Sequence, residues 1–357
     1  MKAGRTLQQL AQEIQRQQAA KRDFIADTRT LTMTPDLELR MRTNGDEEQF
    51  GITDICHRQI AAKTGIPQKY YDRMRADSPD LLAHNVQHWF EAQPEARMVR
   101  TMDGHARALL SDRYRPLDNY DLATAVFPII ADHAMKVESC EITESRLYLQ
   151  CVAYDVRADI VPDTTNHTIN KTGDAVAAGL VIQNSEVGLG SLSVRPLVFR
   201  LVCKNGLIVP EYGMRQTHVG RSHGEDSREL FTQETLQADD KAFFLKVRDT
   251  VAGVLQRDVF EGIVAKLQAA TEDRVEGDVP ETIELVGAEL DLMEAEKSSV
   301  LTHLIEGGDL SRWGLINAVT ATANDVESYD RAVELESVAA KLVDIAPTTW
   351  ERIAKAA

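Results

Sequence analysis

Cysteine is scarce in this chain of 357 residues. Cys56, Cys140, Cys151 and Cys203 stand far apart and no two form a C-x-x-C pair, which argues against a zinc ribbon or a disulfide framework and predicts buried thiols. Long apolar runs are absent as well. No stretch approaches the ~18 consecutive apolar residues of a membrane span. The opening MKAGRTLQQLAQEIQRQQ has a polar helical pattern without the apolar run of a secretory signal, so the expectation is a cytoplasmic protein with no membrane contact. Positive charge is in deficit, with 40 Lys plus Arg against 56 Asp plus Glu, a net charge of -16 and a pI of about 5.1, which excludes a uniformly basic nucleic-acid binder. Also missing are G-x-x-x-x-G-K-[ST] for nucleotide phosphates, the G-x-S-x-G nucleophile elbow and the H-E-x-x-H zinc helix. No cofactor is implied and no metal site is expected.

A hydrophobic fraction of 43% is enough to fill cores, and the length suits two or three domains. The acidity is unevenly spread. Residues 225–357 hold 28 acids and 13 bases, which leaves 28 acids and 27 bases for residues 1–224. Such asymmetry points to separate modules, although long solvated helices are also rich in Glu and Asp. Three regions are expected: residues 1–95, mainly helical with a helix-turn-helix-like hairpin; 96–224, a central antiparallel α+β region with a helix inserted; and 225–357, an acidic helical bundle.

The pattern supports this in detail. Leu37, Leu39 and Met41 alternate with charged residues as in a half-buried strand, and Ile55, Ile60, Ala61, then Tyr70, Tyr71 and Met74, predict two helices parted by Thr64-Gly65-Ile66-Pro67. Asp103-Gly104 is a favourable hairpin turn between residues 97–100 and 106–110. A helix is expected over 119–133 with Asp118 accepting its free N–H groups, then a hairpin over 137–154, a polar loop over 155–174, and strands over 178–183 and 191–203. Pro196 confines its own position to an edge or bulge. Beyond residue 227 two apolar stripes stand out: Phe243, Phe244, Val247, Val251, Val254, Leu255; and Val286, Leu290, Met293, Lys297, Val300, Leu304. Packing against each other explains both, and the second has nearly heptad spacing, so self-associating coiled coil is the other reading.

Chemistry-bearing residues fall into a few groups. His84 and His88 have the i, i+4 spacing of a helical metal pair but lack a third ligand of the usual type, and His218 and His223 lie in a Gly-rich turn beside Arg215 and Arg221, where an anion contact fits better than catalysis. Cys203 follows Phe199-Arg200-Leu201-Val202, a strand that would bury an inert thiol. Around Gly65, Ala61 and the turn Pro67-Gln68-Lys69-Tyr70-Tyr71 suit either a DNA-reading unit or a structural helical hairpin. Between Arg195 and His223 lie five bases, Arg195, Arg200, Lys204, Arg215 and Arg221, against the single acid Glu211, and Arg107, Arg113 and Arg115 accompany Tyr114 on the neighbouring hairpin and its exit. Guanidinium forks match phosphate oxygens and an interleaved Tyr can stack a base, so these residues are the candidate track for a single strand. Pairing with Asp112, Asp118, Glu186 or the acidic helices is the competing account. The Gly-rich Asn184–Ser191 segment is followed by a strand and not a helix, which suits a sharp turn better than a phosphate cradle.

Two segments, Arg107-Ala108-Leu109-Leu110-Ser111-Asp112-Arg113-Tyr114-Arg115-Pro116-Leu117-Asp118-Asn119 and Asn184-Ser185-Glu186-Val187-Gly188 leading to Phe199-Arg200-Leu201-Val202-Cys203-Lys204-Asn205-Gly206, resemble the phage/plasmid-like proteins grouped as domain of unknown function 932. Gly65-Ile66-Pro67-Gln68-Lys69-Tyr70 is similar to the amino-terminal part of that family, and the resemblance spans roughly residues 50–260. It implies a phage or plasmid origin, hence the host cytoplasm, and lends no catalytic residue. With the basic island it leads to the expectation of a non-enzymatic single-stranded nucleic-acid binder, an annealing, recombination or replication accessory that forms homo-oligomers, with the acidic helices recruiting a protein partner or lying across the basic surface. The competing classes are a metal-dependent enzyme using Asp112, Asp118 and Glu186 on nucleotides or nucleic acid, and a protein-binding structural or anti-defence factor.

Overall fold

The computed structural model describes residues 1–43, 45–161, 174–209, 214–216 and 233–356; the expectations for Arg221, His218, His223 and positions 162–173 of the polar loop lie outside the described residues, while positions 155–161, expected as loop, continue a strand because they pair with the one that begins at Asp174. The architecture is α+β: a first sheet with one parallel pair, a second sheet that is antiparallel as expected, and a helical set at the C-terminal end. After α1 (Leu7–Ala20) come β1 (Arg22–Asp27), β2 (Thr32–Met33), β3 (Glu38–Thr43) and β4 (Asp46–Ile52), then the helices α2 (Asp54–Thr64), α3 (Gln68–Asp77) and α4 (Pro79–Ala92), then β5 (Ala96–Met102) and β6 (His105–Ser111). These six strands make one sheet in the order β1-β5-β6-β4-β3-β2, so its pairing runs across the boundary expected at residue 95. The strands β1 and β4 carry too few apolar residues for alternation to reveal them. Asp103 and Gly104 take the positive φ values, 53° and 76°, that the β5–β6 turn needs. Gly65, at φ 68°, ends α2 in the left-handed conformation and sends the chain into α3. Ile60, Tyr71, Leu82, Val86 and Phe90 of the three helices then bury against Leu39, Phe50 and Val99 of the sheet.

A second sheet follows α5 (Asn119–Asp132). Its strands are β7 (Lys136–Ile142), β8 (Leu147–Val161), β9 (Asp174–Asn184), β10 (Leu192–Arg200), β11 (Gly206–Ile208) and β12 (Met214–Gln216), in the order β11-β10-β9-β8-β7 with β12 also on β10. Pro196 falls between the residues of β10 paired with β12, Leu192 to Val194, and those paired with β11, Leu197 to Phe199. A residue without an N–H is tolerated there because the outer edge changes partner at that point. Alternation assigns the faces. Leu149, Cys151, Leu180, Ile182 and Val194 meet α1 and α5, while Tyr148, Val152, Val181, Leu197 and Phe199 face the opposite way.

The C-terminal helices are α6 (Gln233–Val254), α7 (Arg257–Glu272), α8 (Val279–Leu290), α9 (Glu294–Gly307), α10 (Arg312–Thr322), α11 (Tyr329–Val338) and α12 (Pro347–Ala354). Phe243, Val247 and Val251 of α6 join the core of α5 and the second sheet, and α7 to α12 share a core with Val176, Ala178, Val198 and Leu207 of its strands. The near-heptad stripe is therefore two helices and not one. Asp291 turns the chain at φ 57° after Leu290, and Met293 is left exposed before α9 begins. Among the described residues no helix is long and apolar enough to cross a membrane.

Candidate functional site

The two sequence signatures meet at a buried ionic junction between the sheets. Arg100 on β5 is wholly buried. Its Nε and one Nη donate to the two Asp23 oxygens at 2.9 Å each, that same Nη donates to Asp118 at 2.7 Å, and the other Nη donates to the Glu186 carbonyl at 2.9 Å. Lys21 pairs with the second Asp118 oxygen. Arg107 on β6 donates to Glu186 Oε2 at 2.5 Å, while Glu186 Oε1 accepts the Asn119 N–H at 2.6 Å. The Tyr114 hydroxyl donates to the Ser185 carbonyl at 3.0 Å, and Gln59 of α2 donates to the Val187 carbonyl at 2.7 Å. Three cations thus face three carboxylates. Burial works against the Asp118 charge, yet Arg100 and Lys21 together hold its carboxyl below the usual range. Burial likewise opposes the Arg100 charge but is outweighed by Asp23, Asp118 and Glu186, which raise its pKa.

This arrangement fastens the first sheet to the loop 185–191 and to α5, and it decides what the carboxylates can do. Asp118 and Glu186 are committed to Arg100, Lys21 and Arg107, and Asp112 accepts the Ser111 hydroxyl at 3.2 Å. Asp118 stands at the N-cap of α5 without a side-chain cap bond, because Arg100 and Lys21 take its oxygens and Glu186 caps Asn119 from 67 residues away. Among the described residues no three His, Cys, Asp or Glu side chains gather as a metal site would require.

A polar groove of about 720 Å³ opens where β8, β9 and β10 face α11. Alternation puts Tyr148, Gln183, Ser193 and Arg195 on its floor; Arg146, Gly190 and Ser191 form one rim, and Ser328, Asp330, Arg331, Glu334 and Ser337 the wall. Arg195 donates to Ser337 Oγ at 2.9 Å, and Arg146 donates to the Leu189 carbonyl. The acids of the wall are engaged. Asp330 accepts from Thr143 and Ser145 at 3.1 and 2.5 Å, and Glu334 pairs with Arg331, which also forms a two-pronged 2.7 Å pair with Glu296.

Of the nine residues of the expected track, those whose side chains are described do not lie along one surface. Arg107 and Tyr114 are inside the junction, where burial also pushes the Tyr114 hydroxyl pKa up. Arg115 pairs with Asp239 of α6 at 2.5 Å. Arg195 lines the groove, whereas Arg200, an odd number of positions along the same strand, points to the other face. There it forks onto Asp174 at 2.6 and 2.8 Å and lies over the Trp313 ring. Arg113 and Lys204 are exposed, Lys204 at φ 55° in the turn after β10. Arg215 stands opposite Ser193 in β12. Cys56, Cys140 and Cys151 are buried, but Cys203 is exposed, because the strand ends at Arg200 before reaching it. Arg146, Arg331, Tyr148 and Gln183 are groove residues that composition did not reveal. Arg146 follows Glu144, and Arg331 lies in the acidic helices, so neither registers in a count of local charge.

The fold and its two polar sites define an α+β protein of two sheets, locked by a buried ionic junction and carrying an open groove. The chain belongs to the family described as a domain of unknown function (DUF932), which it matches over residues 107–341. That span holds both signature segments and every residue lining the groove, and it runs further into the helical set than the resemblance alone indicated while leaving out the Gly65–Tyr70 stretch. No curated protein and no solved structure matches the chain.

Proposed function

We propose that this protein is a non-enzymatic binder of single-stranded nucleic acid, an accessory of annealing, recombination or replication in a phage or plasmid setting, and that the strand lies in the groove between the second sheet and α11. The lining of the groove carries this reading. Arg146 and Arg195 flank the hydroxyls of Ser191, Ser193, Ser328 and Ser337 and the Gln183 amide, a donor set suited to phosphate and sugar oxygens. Several copies ranged along one strand would multiply a modest affinity.

The binding should be only mildly salt-dependent, because Arg331 is spent on Glu296 and Glu334. Two engaged guanidiniums give a slope of about 1.4 on a log-log plot, or about a sevenfold loss between 50 and 200 mM salt. Fluorescence anisotropy with a labelled single-stranded oligonucleotide tests it. Arg146→Ala with Arg195→Ala should flatten the slope and weaken binding at least tenfold while circular dichroism is unchanged; affinity that survives the double replacement sinks the proposal.

A further inference from the structure

Resting on that reading, we infer that the groove grips the sugar–phosphate backbone alone and leaves the bases facing outward, so that a bound strand stays able to pair with its complement. Among the described residues the lining offers charge, hydroxyls and the buried Val333, but no exposed aromatic face on which a base could stack. Its one aromatic residue, Tyr148, is 1% exposed, and its ring lies against Tyr329 with centroids 5.4 Å apart. Strand binders that hold bases do so on exposed aromatic faces. Reading of base edges needs several converging amide or guanidinium groups. Here, among the described residues, Gln183 is the only amide in the lining, and one amide does not read a base by itself, while Arg146 and Arg195, anchored on the Leu189 carbonyl and on Ser337 Oγ, serve as the phosphate forks.

What remains is a row of backbone donors. The guanidinium fork of Arg146 sits directly over Gly190, where an added Cβ would come within 2.9 Å of its Nε, so the absence of a side chain at 190 keeps that fork in place. A strand held through its phosphates on one side presents its Watson–Crick edges on the other. The occupant is therefore a single strand of any sequence, and the activity that follows from this geometry is promotion of annealing.

The test compares a labelled 20-mer of thymidine with a 20-mer of the same length made of abasic sites, using the full chain and anisotropy at 50 mM salt, and follows annealing of two labelled complementary strands by energy transfer. The expected result is affinity for the abasic strand within fivefold of that for the thymidine strand, together with faster annealing when protein is added. Arg195→Ala should weaken both strands by the same factor, and Gly190→Ala, which displaces only the end of a flexible side chain, serves as a second variant with the fold retained. Abasic affinity lower by more than fivefold, or annealing slowed by the protein, overturns the inference and leaves strand binding standing. Absence of binding to either strand removes strand binding and the inference with it.

Discussion

Glu336 on α11 is buried against β8, where its Oε2 accepts a 2.6 Å bond from Gln150 Nε2. Its Oε1 and the Gln150 Oε1 are both buried without a hydrogen-bond partner, and the Met1 ammonium nitrogen is 3.6 Å from Oε1. Burial raises the carboxyl to about 7, against the pull of that ammonium and of Gln150. The folded state then keeps a proton that the unfolded chain releases near its ordinary value of 4.5, so this contribution is fully present below about 4.5 and lost as pH rises through about 7. The swing is on the order of 3 kcal/mol. Glu336→Gln, which supplies an N–H in place of that proton, should raise the urea midpoint at pH 8 and flatten the stability profile between pH 5 and 7.5; an unchanged profile refutes the assignment. Arg100→Met is expected to cost about 3–5 kcal/mol, because it leaves the Asp23 carboxylate without its guanidinium and Asp118 with Lys21 alone, and equilibrium unfolding in urea measures it. Single residues were also where sequence reading gave way. The spacing of five between Arg195 and Arg200 already sends them to opposite faces of any strand, a point that a simple tally of bases hides. Arg107 meets Glu186 79 residues away, and Asp118 meets Arg100 and Lys21 at 18 and 97 residues, beyond the reach of local pattern.

At the scale of elements, the loop 185–191 joins two structures. Glu186 enters the junction at one end, and Gly190 and Ser191 form the groove rim at the other. Its glycines should respond differently to alanine. At Gly188, with φ at 75° and a Cβ that would fall 2.6 Å from a Leu110 methyl, Ala brings both strain and a clash, for a stability loss of at least ~1 kcal/mol. At Gly190 the obstacle is only the mobile end of Arg146, so Gly190→Ala should change the melting temperature by no more than a degree or two and weaken strand binding several-fold; paired calorimetry and anisotropy separate the cases. Elements with strong local signals were legible from sequence: the Asp103–Gly104 hairpin, the Gly65 helix break, and the strands on either side of residues 184–191. The first sheet was not, since β1 and β4 reveal themselves only through pairing with β5, β6 and β3.

For the whole molecule, the acidic third is structural in its packing. Phe243, Val247 and Val251 close one face of the second sheet through the α5 core, while α7 to α12 wrap its far end. A chain cut after residue 226 would expose those apolar surfaces, and it should precipitate or bind a hydrophobic dye, not bind nucleic acid more tightly. Converting exposed acids of α8 and α9, such as Glu284 and Glu294, to Gln should leave strand affinity within twofold. A tenfold gain would instead show that the acidic field competes with phosphate. The stripe at 243–255 marked a buried face in advance, but its cover is α5 and the second sheet and not the stripe at 286–304, which lies in a separate core, because helical spacing shows that a face is apolar and not what it meets.

The ionic junction also sets an order of events during synthesis. The first sheet is complete in sequence at Ser111, but Glu186, which receives both Arg100 and Arg107, is made 75 residues later. At 5–20 residues per second that interval lasts on the order of 4–15 s. Through it the nascent first sheet carries two arginines without their final acceptor, so its consolidation waits for the second sheet, and ribosome-bound chains ending near residue 155 should remain open to protease where chains extended past residue 225 resist it.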